Sequence, residues 1–159
     1  MNCSGYEELF VGQSAEFTRE VTVDMMQQFC AVSGDNNPLH VSADFARAHG
    51  FQDRVVYGML TASLYSCLAG EYLPGERCLL QSVHSDFLHP VFIGDILRVE
   101  GKITEKNNSV RQIVVKAVIR NQDGKKFPRR ELKRGCFDGK TIFIAWGIVR
   151  SLLCVPAGA

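Results

Sequence analysis

Hydrophobic and polar residues alternate over Ser14–Val21 (SAEFTREV), and a period of two predicts a first β-strand. The period then lengthens. Val23, Met26, Phe29, Cys30 and Val32 recur at helical spacing after Thr22 or Asp24, either of which opens a helix. Ser33–Pro38 (SGDNNP) is dense in turn formers and ends that helix. A short helix follows around Ala43–His49, closed by Gly50.

From Val56 to Leu73 the pattern has no polar face. Met59, Leu60, Leu64, Leu68 and Leu73 fall all round a helical wheel, with Ala, Ser, Thr and Cys between them, which predicts a helix buried on nearly all sides. At about 27 Å it is short of a membrane span. After Pro74–Gly75 the period returns to two. Leu79–Phe87 is a strand candidate, ended by Pro90. Leu97, Val99 and Ile103 alternate with Arg98, Glu100 and Lys102, and Ile113, Val115, Ala117 and Ile119 alternate with Val114, Lys116 and Val118. These two long strands predict a hairpin turning near Lys106–Ser109 (KNNS). One strand, then helices, then consecutive antiparallel strands make an α+β domain, a curved sheet wrapped on one long helix.

Composition narrows the class. The 159 residues, 46% hydrophobic and 22% charged, suit one soluble globular domain. A net charge of +1 argues against a whole-protein field for gripping nucleic acid. The balance hides an asymmetry: residues 1–124 hold 10 basic and 15 acidic side chains, and residues 125–159 hold 8 and 2. Six scattered cysteines form no C-x-x-C pair and read as small hydrophobes. The opening MNCSGYEELF lacks the long apolar stretch of a secretory signal, so a reducing, cytoplasmic setting is expected and the sequons at Asn2 and Asn107 carry no weight.

Phe29–Ala46 (FCAVSGDNNPLHVSADFA) carries the candidate chemistry. Asp35, Asn37 and His40 lie within six residues on a turn stiffened by Pro38. A carboxylate, an amide and an imidazole so placed can share one water: Asp or neutral His takes its proton, and Asn orients it. An ordinary capped turn explains the same residues, and on spacing alone it is the commoner account. Calcium is a poor fit because Pro38 and Leu39 stand where a calcium loop needs oxygen ligands. Zinc lacks a Cys or a second His at ligand spacing, so no metal is expected.

The stretch resembles the hydratase-2 motif of the MaoC-like (R)-specific enoyl-thioester hydratases: an aromatic residue, Gly-Asp-x-Asn-Pro-aliphatic-His, then a small residue six positions on. Phe29, Gly34, Asp35, Asn37, Pro38, Leu39, His40 and Ala46 match it in register. YGMLTASLYS at Tyr57–Ser66 resembles the start of the family's hot-dog helix, and F-x-x-P-V-x-x-G-D recurs from Phe87 to Asp95. The resemblance covers roughly residues 9 to 124. It implies a hot-dog fold, a homodimer, and a lyase that reversibly hydrates (2E)-enoyl thioesters to (R)-3-hydroxyacyl thioesters. No cofactor is implied beyond coenzyme A or acyl carrier protein as part of the substrate. Asp35 and His40 would be the catalytic pair and Asn37 would position the water. The N–H of Gly58 would meet the thioester oxygen, and Ser66 would support the site. Leu39, Met59, Leu60, Leu64 and Tyr65 are candidates for an acyl slot, although core packing explains each as well.

Three features depart from the family or leave the reading open. Tyr57 stands where the family commonly has His, and a phenol cannot replace imidazole as a base, so altered substrate fit is expected. From Lys125 the run KKFPRRELKR, with six basic residues, and then the apolar Thr141–Val155 have no family counterpart. Pro128 stands where the last strand is due, which is tolerated only at an edge or a bulge. The chain therefore divides into a hot-dog core at 1–124 and an atypical stretch at 125–159. That stretch could be an edge strand, a dimer or membrane-surface contact, a poorly ordered extension, or an ending foreign to the family. The alternatives to a lyase are a thioesterase on the same fold, or an acyl-thioester binder without catalysis. A thioesterase needs an acid on the central helix, where Thr61, Ser63 and Ser66 occur and the one acid, Glu71, comes only near the end.

Overall fold

The computed structural model describes residues 2, 4–123 and 146–152. Its sheet has five strands, each antiparallel to its neighbours: β1 (Ser14–Glu20), β2 (Leu79–Asp86), β3 (Ile96–Asn107), β4 (Gln112–Arg120) and β5 (Trp146–Leu152), in the order β1-β3-β4-β5-β2. Alternation placed β1, β3 and β4 well, and β2 falls within the strand candidate Leu79–Phe87. In β3, Leu97, Val99 and Ile103 face the core, and in β4 Ile113, Val115, Ala117 and Ile119 do, all at most 4% exposed. Their partners on the other face form a solvated ion-pair ladder. Arg98 meets Glu16 and, at 2.9 Å, Glu100, which also pairs with Arg120.

The helices are α1 (Val23–Ser33), α2 (Pro38–Val41), α3 (Ala43–Ala48) and α4 (Gly58–Cys67). Thr22 caps α1 by accepting a bond from Met25 N at 3.2 Å. Only Met26 of α1 is fully buried, with Phe29 and Cys30 half-buried. Val23 is 43% and Val32 87% exposed, so the predicted stripe is too long at both ends.

The central helix differs from expectation in two ways. It is α-helical only over Gly58–Cys67 and widens into a π turn over Leu68–Tyr72, where Leu73 N bonds Leu68 O at 2.8 Å. The wider turn sets Tyr72 flat against Phe17 of β1, ring centroids 4.7 Å apart. The helix is also not buried on all sides. Leu60, Thr61, Ala62, Leu64 and Tyr65 face the core, while Met59, Ser63 and Ser66 form an exposed stripe. One sheet covers one side of a helix.

The close seat on the sheet depends on Gly101 of β3. A Cβ there would lie 2.6 Å from Leu68 Cδ2 and 3.1 Å from Val115 Cγ1, inside contact distance of both. This is the hot-dog architecture: a curved antiparallel sheet around a central helix. The apolar tail supplies a strand, but not at an edge. β5 lies between β4 and β2, with Val115 opposite Val149 and Val83 opposite Val149 from the other side. Lys125–Arg134, Pro128, Cys3, Cys136 and Cys154 lie outside the described residues. No helix among the described residues is long and apolar enough to cross a membrane.

Candidate active site

The candidate loop begins where α1 ends. Gly34 takes the left-handed conformation (φ 72°) and its N–H closes the helix on Cys30 O at 2.8 Å, a position where glycine costs least. Two Asx turns follow in series. Asp35 Oδ1 accepts from Asn37 N at 3.0 Å, and Asn37 Oδ1 accepts from Leu39 N at 3.0 Å, capping α2. Pro38 sits in the first turn of α2, where its missing N–H is no loss. The turn account and the chemical account therefore describe the same atoms. One carboxylate oxygen shapes the loop, and Oδ2 of Asp35 is left without a protein hydrogen bond among the described residues.

α2 then presents His40, whose Nδ1 lies 2.6 Å from Val55 O. A carbonyl only accepts, so Nδ1 carries the proton and the Nε2 lone pair is left available. The segment 55–57 is itself tied down, by Val55 N to Leu39 O at 3.1 Å and Val56 N to Val91 O at 2.8 Å. Next in the chain comes Tyr57, 2% exposed. Its ring contacts both His40 (centroids 4.2 Å apart) and Phe29 (5.1 Å). Its hydroxyl donates to Asp35 O at 2.8 Å. Burial, then the Cys30 thiol and the Asp35 charge, push the Tyr57 phenol up to about 12.

Gly58 opens α4. The first intrahelical bond runs from Thr61 N to Tyr57 O, so the N–H groups of Gly58, Met59 and Leu60 have no backbone partner among the described residues, at the positive end of the helix. A Cβ on Gly58 would stand 3.3 Å from three atoms of the Phe87 ring, tighter than ordinary contact. Asp35, Asn37, His40, Tyr57 and Gly58 thus converge on one region. Leu39 is half-buried beside it, Met59 is 63% exposed on the open stripe, and Leu60 is in the core. Leu64 and Tyr65 are core residues as well. Ser66 is the outlier. It lies roughly 12 Å beyond Gly58 by helix rise, on the exposed stripe, and no hydrogen bond among the described residues joins it to the Asp35–His40 loop.

Three participants were not legible as such in the sequence. Val55 acts through a main-chain carbonyl, which leaves no residue signal. Cys30 reaches Asp35 O at 3.4 Å from one turn before the loop. Phe87, the aromatic of F-x-x-P-V, could have been paired with the helix start from that motif. Among the described residues no three His, Cys, Asp or Glu side chains group to hold a metal ion.

A capped polar turn, an oriented imidazole and an unpartnered helix-start N–H on this fold define a class, and comparison gives the family. Residues 9–124 match the MaoC like domain, and the chain belongs to that family. It is 38% identical over 98 residues to an (R)-specific enoyl-CoA hydratase of Aeromonas caviae, spanning 62% of this chain and 73% of that one. It is also 38% identical over 87 residues to a mitochondrial 3-hydroxyacyl-[acyl-carrier-protein] dehydratase of Arabidopsis thaliana, covering 55% of this chain and only 51% of that one. The solved structure of an A. caviae (R)-hydratase involved in PHA biosynthesis superposes with a TM-score of 0.77 at 28% identity, covering 92% of this chain and 98% of that one.

Proposed function

We propose that the chain is a hydro-lyase that adds water reversibly across the double bond of a (2E)-enoyl thioester to give the (R)-3-hydroxyacyl thioester. The observation that carries this reading is the His40–Val55 bond, which leaves Nε2 able to take a proton on the loop that also carries the Asp35 carboxylate, both tied to Tyr57. The pair holds one water. As its oxygen bonds C3, the dyad takes its proton, and the C2–C3 π electrons move toward the thioester oxygen. The Gly58 N–H meets that charge, and the dyad returns the proton to C2. The sum is redox-neutral, so the chemistry asks for no cofactor beyond the carrier of the acyl group, coenzyme A or acyl carrier protein.

A homodimer suits this site. β2 is an open edge strand with Leu79 56% and Val83 40% exposed, and the Met59–Ser63–Ser66 stripe of α4 is uncovered in one chain. A reducing, cytoplasmic setting suits the unbridged thiols of Cys30 and Cys67.

The test is loss of enoyl absorbance on adding a (2E)-enoyl-CoA. Loss that Asp35→Asn and His40→Ala abolish supports the lyase. Release of free thiol instead supports a thioesterase, and saturable binding with neither supports a non-catalytic binder.

A further inference from the structure

The geometry points to Tyr57 as the residue that positions the catalytic pair, its hydroxyl holding the main chain of Asp35 and its ring backing His40. This rests on the hydratase reading above. The Asp35 carbonyl has two donors, Tyr57 Oη at 2.8 Å and the Cys30 thiol at 3.4 Å, and a thiol is the weaker donor. The phenol is therefore the stronger hold on the Asp35 carbonyl, and it fixes the carboxylate together with the Asp35 N–H, which donates to Ser33 Oγ at 3.2 Å, and Oδ1, which accepts from Asn37 N. On His40 the Val55 carbonyl fixes one ring nitrogen, and the Tyr57 ring, 4.2 Å away and tilted by 39°, limits rotation of the imidazole plane. Phe29 also packs on the Tyr57 ring, centroids 5.1 Å apart.

Tyr57 is also the residue immediately before Gly58. One side chain thus ties together the carboxylate, the imidazole and the start of the helix that offers the N–H. An imidazole at this place would end short of the Asp35 carbonyl. Tyr in place of His accordingly changes how the loop is held rather than which groups transfer protons. Its high pKa keeps the hydroxyl a donor throughout the working range. Tyr57 touches no reacting atom in this scheme and is a positioning residue.

The experiment pairs steady-state hydration of a short-chain (2E)-enoyl-CoA by the full chain with NMR of two atoms, the Asp35 carbonyl carbon and the His40 Hε1 proton. Tyr57→Phe keeps the ring and removes the hydroxyl. It is expected to move the Asp35 carbonyl resonance, leave His40 in its ring-current position, and lower kcat on the order of tenfold with KM within about twofold, since one neutral hydrogen bond is worth about that factor. Tyr57→Leu is expected to move the His40 resonance too and to lower kcat further. An unchanged kcat in Tyr57→Phe overturns the inference. So does a raised KM at constant kcat, which is the signature of a lost substrate contact. A wild-type chain inert toward every enoyl thioester overturns the hydratase reading instead, whatever the resonances do.

Discussion

The Nδ1 of His40 donates to the main-chain carbonyl of Val55 at 2.6 Å, and this bond decides which face of the imidazole can act as a base. It also separates the structural duty of His40 from its chemical one. An asparagine amide can reproduce the Nδ1 donor but has no counterpart of Nε2. His40→Asn is therefore expected to fold with near-native thermal stability and to lose about 10²–10⁴ in kcat, the usual worth of a general acid–base group. His40→Ala should lose similar activity and also about 1 kcal/mol of stability, because it leaves the Val55 carbonyl short of a partner. Calorimetry with enoyl-CoA hydration assays measures both. Substantial activity in His40→Asn would exclude Nε2 as the base.

Asn37 has two duties of its own. Its Oδ1 caps α2 through Leu39 N, and its Nδ2 is available to orient water. Asn37→Asp keeps the capping oxygen but removes the amide donor and adds a charge two residues from Asp35. The expected result is a stable chain with kcat reduced at least tenfold. Asn37→Ala loses the cap as well, at about 1 kcal/mol in a denaturant titration. Equal destabilisation by both substitutions would mean that the cap is not what Oδ1 contributes.

Gly58 meets the Phe87 ring where a Cβ would stand 3.3 Å from three ring atoms. Gly58→Ala must displace either the ring or the first turn of α4, and with the turn goes the N–H. Loss of one such donor costs on the order of 10²–10³ in kcat when complete, and displacement should cost a good part of that. Phe87→Leu opens space and is expected to restore activity to Gly58→Ala without improving the wild type. If the double variant is no better than Gly58→Ala, the Phe87 contact is not the cause.

These contacts show which parts of the molecule the sequence announces. β1, β3 and β4 are half-buried strands, and alternation declares them because each second residue meets a different solvent. The motif at 34–40 is declared because its turn and its chemistry demand the same residue types. α4 was overestimated for want of contrast. Met59, Ser63 and Ser66 carry no charge, so nothing in their composition separates an open stripe from a buried one. β5 was assigned no firm place for the opposite reason. TIFIAWGIVRSLLCV is apolar on both periods, and such a run does not reveal which strands flank it. The hydrogen bonds that make a site of the loop go to the carbonyls of Val55 and Asp35. Main-chain atoms leave no trace in residue identity.

Two buried phenols give the chain a predictable weakness in alkali. Tyr57 and Tyr65, 2% and 0% exposed, are both pushed up from 10.0 to about 12, chiefly by burial. Below pH 10 each is protonated in the folded and unfolded chain alike, and the favourable burial of the neutral phenol is fully present. Between pH 10 and 12 the unfolded chain gives up these protons while the folded chain keeps them, so unfolding becomes easier with each step in pH. Stability falls by at most about 1.4 kcal/mol per pH unit for each tyrosine, until the folded pKa is passed. Tyr57→Phe removes one of the two contributions, so its unfolding free energy from urea titration should fall less steeply than that of the wild type between pH 9.5 and 11.5, by at most about 2 kcal/mol over that interval. Tyr65→Phe should behave alike. Parallel pH profiles for wild type and both variants would mean that these phenols titrate in the fold as they do in water, and that neither is held dry.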